Sequence, residues 1–275
     1  MVQVMGILNV TPDSFYDGGR YSSWRGALLQ AKSMVAEGAN FLDVGGESTR
    51  PGAEPVSVAV EIKRVVPIVR AIAKKFPRLP ISIDTQKSAV ALAALEAGAR
   101  IVNDVSALRF DPKMAEIIKK KKAGVILMHM RQDPSTMQVR PRYGKVVQEV
   151  VKFLAQRAQW AIASGIDKHK IWIDPGIGFG KTVKHNLALI RQIHCFVNLG
   201  YPVLVGHSRK SFIGKILDQT ESLPATDRLE GSLAVACYLA MNGASILRVH
   251  DVGATLKAVR VTEAILKKEA NSPLT

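Results

Sequence analysis

The sequence predicts an α/β protein, a single (β/α)8 TIM barrel over residues 1–275 with its active site at the C-terminal ends of the strands, and three observations predict it. Short β-branched apolar runs alternate with longer amphipathic segments from one end of the chain to the other, the pattern of a parallel sheet. Eight such runs can be counted, the number a closed barrel needs. Nearly every run ends on, or just before, an Asn, Asp, His, Lys or Arg. A length of 275 residues with 47% hydrophobic content fits one such barrel, and no linker or low-complexity tract divides it.

The strands are expected at 4–8 (VMGIL), 41–45 (FLDVG), 81–84 (ISID), 101–104 (IVND), 125–130 (VILMHM), 170–174 (KIWID), 203–206 (VLVG) and 246–249 (ILRV). Helical periodicity fills the intervals at 27–37, 58–76, 88–97, 114–121, 146–163, 187–197, 229–241 and 254–267. Gly38, Gly98, Gly165, Gly200 and Gly243 fall where a helix needs a left-handed residue to end. A doubly wound open sheet is the rival architecture. It leaves the strand count unexplained and normally carries its glycine-rich turn after the first strand.

In a barrel the C-terminal strand ends share one rim, so residues far apart in sequence converge. Asn9, Asp43, Asp84, Asn103, Asp104, His129, Asp174, Ser208 to Lys210 and Arg248 to Asp251 all occupy such ends. An Asp or Asn there can also simply cap the next helix. Asp43 and Asp104 are read as the structural members of the set.

Composition narrows the function. Lys and Arg number 38 against 23 acidic residues, a net charge of +15, so the surface attracts anions. The one tight basic run, Lys119 to Lys122, reads as the solvent face of a helix, and aromatics at 6% offer no stacking platform, which argues against nucleic acid as the partner. Cys195 and Cys237 match no metal spacing and read as buried free thiols, which suits a reducing cytoplasm. The start MVQVMGILNV lacks the basic region of a signal peptide, and no apolar run approaches membrane-spanning length.

One stretch, DPGIGFGKT (174–182), looks at first like a phosphate-binding loop. A P-loop needs glycine where Pro175 stands, and proline has neither an N–H nor a free φ. A dinucleotide fingerprint needs glycine where Lys181 stands. Lys181 and Thr182 are therefore read as ordinary loop and helix-start residues.

Several stretches together carry a resemblance: MGILNVTPDSFYDGG (5–19), DVGGESTRPGA (43–53), IDT (83–85), NDVSAL (103–108), DPGIGFGK (174–181), GHSRKSFIG (206–214), DRLEGSLA (227–234) and RVHDV (248–252). They cover nearly the whole chain, and in them it resembles the dihydropteroate synthases. That resemblance implies a transferase joining p-aminobenzoate to a dihydropterin methyl diphosphate, with release of pyrophosphate. It implies pterin contacts from Asp84, Asn103, Met128, Asp174, Phe179, Gly206 and Lys210, and diphosphate contacts from Asn9, Thr49, Arg50, Arg248 and His250. It further implies a p-aminobenzoate pocket of Phe15, Pro51, Phe179 and Ser211, a Mg2+ held through Asn9, and a homodimer. Asp84, Lys210, Arg248 and His250 are the expected catalytic residues. No Ser-His-Asp arrangement is needed, because an arylamine is neutral at physiological pH and attacks without a strong base. The loops TPDSFYDGG and ESTRPGAEP, rich in Gly, Pro, Ser and Asp, are expected to be mobile lids.

The resembling family often places a short hairpin before the first strand, and here the strand comes almost at once. Either other side chains close the barrel floor or the recorded start is internal. Two other functions remain open at this point: a pterin-binding methyltransferase using methyltetrahydrofolate, against which the SRK (208–210) and RVH (248–250) segments argue, and a non-catalytic pterin-binding or nucleic-acid-binding module.

Overall fold

A computed structural model of the chain describes residues 1–10, 20–48, 55–131, 137, 141–218 and 220–267. The expected site residues Phe15, Thr49, Arg50 and Pro51 lie outside this set, with most of the two expected lid loops.

Eight parallel strands form the sheet: β1 (Gln3–Asn9), β2 (Phe41–Gly45), β3 (Ile81–Asp84), β4 (Ile101–Asp104), β5 (Gly124–Met128), β6 (Ile171–Asp174), β7 (Leu204–Gly206) and β8 (Ile246–Val249). Their order is β6-β5-β4-β3-β2-β1-β8-β7, and a bridge between Ile173 and Val203 brings the two ends together into a nearly closed barrel. The open-sheet alternative is excluded. Among the described residues ten α-helices lie between and after the strands, besides two single-turn 3-10 helices: α1 (Arg20–Ala36), α2 (Val58–Lys75), α3 (Ser88–Glu96), α4 (Met114–Lys121), α5 (Val146–Ala163), α6 (Val183–Arg191), α7 (His194–Val197), α8 (Ser211–Leu217), α9 (Leu229–Met241) and α10 (Val252–Leu266).

Strand alternation sorts the side chains into two environments. Val4, Leu8, Leu42, Val44, Ile81, Ile83, Val102, Val125 and Leu127 pack outward against helix residues such as Ala27, Val65, Ile68 and Ile72. Met5, Phe41, Ile101, Ile126, Leu204 and Ile246 point inward with Trp172 and fill the lower barrel. Full burial of each such side chain is worth about 1.5–3 kcal/mol, so this layer closes the floor with ordinary apolar chemistry. Two residues further along, the inward position becomes polar on four strands: Phe41 gives way to Asp43, Ile101 to Asn103, Trp172 to Asp174 and Ile246 to Arg248. The site is therefore the second storey of a packed barrel.

Local chemistry explains the departures from the sequence reading. The single helix expected at 187–197 is two, and it begins earlier. Thr182 accepts from the His185 N–H, and His185 Nδ1 accepts in return from the Thr182 N–H, a reciprocal cap that starts α6 at Val183. Gln192 then leaves helical geometry before α7. Helix α8 lies in a stretch read only as part of a motif. Cys195 and Cys237 are free but only half-buried, rather than buried. Gly38, Gly98, Gly165, Gly200 and Gly243 all have positive φ, as expected. Among the described residues no helix is long and apolar enough to cross a membrane.

Candidate active site

Arg248, inward on β8, organises the centre of the barrel mouth. Its Nε donates to Asp43 Oδ2 at 2.5 Å and an Nη donates to Asp84 Oδ2 at 2.7 Å. Asn103 Nδ2 donates to the same Asp43 oxygen at 3.0 Å. Strands β2, β3 and β8 thus meet through one guanidinium, and β4 joins them through Asp43. Burial works against its charge, but Asp43 and Asp84 outweigh burial and raise the Arg248 pKa above its ordinary value. Burial pushes Asp84 up to about 7; Arg248 opposes this, and Asp43, Glu61 and Asp104 add to it. Among the described residues Asp43 Oδ1 and Asp84 Oδ1 are buried without a hydrogen-bond partner, so the cluster has unused acceptors.

Asp43, expected to be structural as a helix cap, instead bonds to side chains of the site. It is fully buried and shared between Arg248 and Asn103. Asp104, read the same way, does cap backbone: it accepts from the Ser106 and Leu108 N–H groups at 2.7 and 3.0 Å.

The other half of the mouth is built on the turn after β6. Asp174 accepts from the Gly176 N–H at 2.7 Å, and a Cβ on Gly206 would stand 3.8 Å from both Asp174 Oδ2 and Arg248 Cδ. Gly206 thus leaves the space between β6 and β8 open. Burial raises the Asp174 pKa, partly offset by the Gly176 N–H, Lys210 and Arg248. Lys210 follows β7; its Nζ donates to Ile177 O and lies 4.0 Å from the Phe179 ring centre. Burial lowers Lys210 to about 7, against the attraction of Asp174. Met128 packs with Val105, Met130 and Met137, and Phe179 lies against that group. Gly176 is required sterically: at φ 69° a Cβ there would come within 1.9 Å of His129 O.

The remaining candidates sit on the rim. Asn9 ends β1 with its Oδ1 near Gly45, on the side of Gly45 that Asp84 also faces. His250 follows β8, and its N–H and Nδ1 lie 3.3 and 3.1 Å from Ser208 Oγ. Ser211 opens α8 directly after Lys210 and is exposed. Lys181 is not the ordinary loop residue expected. It is 4% exposed, with Nζ donating to Phe179 O and within hydrogen-bonding distance of His129. Lysine is so rarely buried that no sequence signal pointed to it. Titratable groups displaced this far from their ordinary values gather where chemistry is done.

Comparison with known proteins identifies the family of this barrel. The family described as pterin binding enzyme matches residues 5–250. A dihydropteroate synthase of Synechocystis sp. is 47% identical over 95% of this chain and 89% of its own length. The Xanthomonas albilineans dihydropteroate synthase with 4-aminobenzoic acid superposes with a TM-score of 0.90 at 42% identity, over 98% of this chain and 94% of that one. The same enzyme in complex with 7,8-dihydropteroate gives 0.87 at 40% identity, over 98% and 95%. The chain belongs to the dihydropteroate synthase family of pterin-binding enzymes, and it is a transferase.

Proposed function

We propose that the protein condenses p-aminobenzoate with (7,8-dihydropterin-6-yl)methyl diphosphate, forming 7,8-dihydropteroate and pyrophosphate for folate biosynthesis by a dissociative, SN1-like substitution. The observation that carries this reading is the convergence of Asp84, Asn103, Asp174, Lys210 and Arg248 in one barrel mouth. A pterin offers an exocyclic amine and an adjacent ring N–H on one edge, a donor pair suited to the buried Asp174 carboxylate. Asn103 and the unpartnered Asp84 oxygen would take further ring groups, with Lys210 donating to the carbonyl edge. Gly206 leaves room for the flat rings and Met128 flanks them. The 4-aminobenzoic acid and 7,8-dihydropteroate bound by the Xanthomonas enzyme support both substrates.

In the reaction, negative charge gathers on the departing diphosphate. Arg248 and His250, with Thr49 and Arg50, would bind it, and fixed cations aimed at developing charge need no reorganisation. The pterin methylene left behind is electron-poor, and the Asp84 carboxylate stabilises it until the arylamine attacks. Phe179, Phe15, Pro51 and Ser211 would hold the arylamine on the opposite side.

Mg2+ fits this site as a cation shared with substrate. Among the described residues no group of three His, Cys, Asp or Glu could hold a metal, so a protein-only cage is not on offer. Asn9 on the rim suits the one or two protein oxygens that Mg2+ uses beside phosphate and water. When bound, it would neutralise charge on the leaving group. The protein should also form a homodimer, with exposed apolar side chains Tyr238, Met241, Val261 and Ile265 on α9 and α10 as supporting surface.

A pyrophosphate-release assay with both substrates, with and without Mg2+, tests the reading. Release should need both substrates and fall when the metal is chelated. No release with the pair, or release indifferent to the arylamine, would overturn it; a monomeric mass in solution would remove the dimer.

A further inference from the structure

Lys181 has no place in the reaction just described, yet among the described residues it is the one lysine or arginine that is buried. Burial pushes its pKa well down, against the attraction of Asp174, and three partners surround its nitrogen: Phe179 O at 2.9 Å, His129 Nδ1 at 3.0 Å and His129 O at 3.3 Å. Two belong to the residue just after β5 and one to the turn after β6. A methionine could fill the same space with no polar group to desolvate, so what the amine adds is the tie between these two segments.

The tie has an evident object. The 176–180 turn places three glycines at positive φ, a conformation that the chain does not hold by preference. It is held by its surroundings: Asn186 Oδ1 accepts from the Gly178 N–H at 2.8 Å, and the Tyr143 hydroxyl donates to Gly180 O at 3.0 Å. Lys181 supplies the contact at the one residue of the turn with a ring, Phe179. That ring in turn lies beneath the Lys210 ammonium. The strand-borne pterin contacts Asp84, Asn103 and Asp174 receive no hydrogen bond from Lys181.

We propose that Lys181 is a positioning residue for the arylamine subsite: by fastening the 176–180 turn to the end of β5, it fixes the Phe179 ring against which the arylamine lies. This rests on the reaction proposed above. The His129 ring is the other half of the device. Its edge-on contact with Phe153, at 4.8 Å between ring centres, aims Nδ1 at Lys181.

The test separates the two substrates in steady-state kinetics. Lys181→Met should raise the KM for p-aminobenzoate at least fivefold and raise the Kd for free pterin by a clearly smaller factor, because Asp174 and Lys210 also bond to this turn but are placed by their own strands. In a Phe179→Ala background the same change should cost nothing more, because its target is gone. Should Lys181→Met fail to fold, His129→Leu carries the same prediction, while His129→Asn, whose Oδ1 can replace Nδ1 as acceptor, should keep a KM near that of the wild type. An unchanged KM, a pterin Kd that rises in step with it, or losses that multiply in the double variant would each overturn the proposal. Wild-type turnover is the control: an inactive wild type refutes the reaction itself, whereas an active wild type with unaffected variants refutes only the role of Lys181.

Discussion

Arg248 balances two buried carboxylates, and that arrangement sets what each partner can do. Removing it by Arg248→Ala should cost turnover about a hundredfold, the order of roughly 3 kcal/mol lost when one well-placed donor leaves a transition state. It also leaves Asp43 and Asp84 facing one another, so the thermal midpoint should fall as well, since an uncompensated buried charge costs about 3–5 kcal/mol. A variant with unchanged turnover would take Arg248 out of the mechanism. Asp174→Ala is different in kind: it should abolish pterin binding while leaving the Arg248 cluster intact, and calorimetry with free pterin reads it directly. Asp43 makes a finer prediction. Its charge is one cause of the rise of Asp84 to about 7. If Asp84 must be ionised to steady the methylene, kcat/KM should fall on the acid side of that pKa. Asp43→Asn removes the repulsion and leaves Arg248 to Asp84 alone, so the acid limb should move to lower pH. The titration of the substrate phosphates is common to both enzymes and cancels in the comparison; a limb that stays put, or moves up, contradicts the assignment.

Helix ends show how much of the fold could be read directly and where reading stopped. Gly38, Gly98 and Gly165 were recognisable because only glycine occupies φ near 90–120° without strain. Helix α4 ends in the same left-handed way on Lys122, at φ 52°, where nothing in a lysine announces it. Lys122→Gly should therefore stabilise the protein by up to about 1 kcal/mol in denaturant unfolding, minus whatever glycine adds to unfolded-chain entropy. No gain would mean that the Lys122 side chain offsets the strain. The strands were legible for a similar reason, since alternation and β-branching act locally. The α6 start was missed because its cap uses His185 where Glu or Gln is the familiar partner. Asp84, Asn103 and Asp174 could be named from strand ends, but Asp43 was set aside: its role depends on Arg248, 205 residues away. The burial of Lys181 likewise depends on β5 and β6 lying side by side, which no local pattern encodes.

The enclosed barrel carries a consequence for acid stability that no single contact explains. Burial depresses His129 to about 2 and His207 to about 4, whereas an unfolded chain protonates both near 6.5. Below pH 6.5 the unfolded state therefore takes up protons that the folded state refuses, and stability falls as pH falls, fully so for His207 by about pH 4. Asp84 works the other way. With its pKa raised from 3.8 to about 7, the folded state takes that proton first, which favours folding as pH drops through the same interval. The total slope is thus a difference of opposing terms, and a substitution isolates one of them. His129→Asn keeps an acceptor for Lys181 but cannot titrate. One proton of difference is worth about 1.4 kcal/mol per pH unit, so between pH 6.5 and 4.5 the variant should lose about 2 to 3 kcal/mol less than the wild type, whatever its starting stability. Urea unfolding at the two pH values measures both losses. Equal losses would mean that His129 takes up its proton in the folded protein, which is incompatible with a ring enclosed between Phe153 and the Lys181 and Arg109 cations.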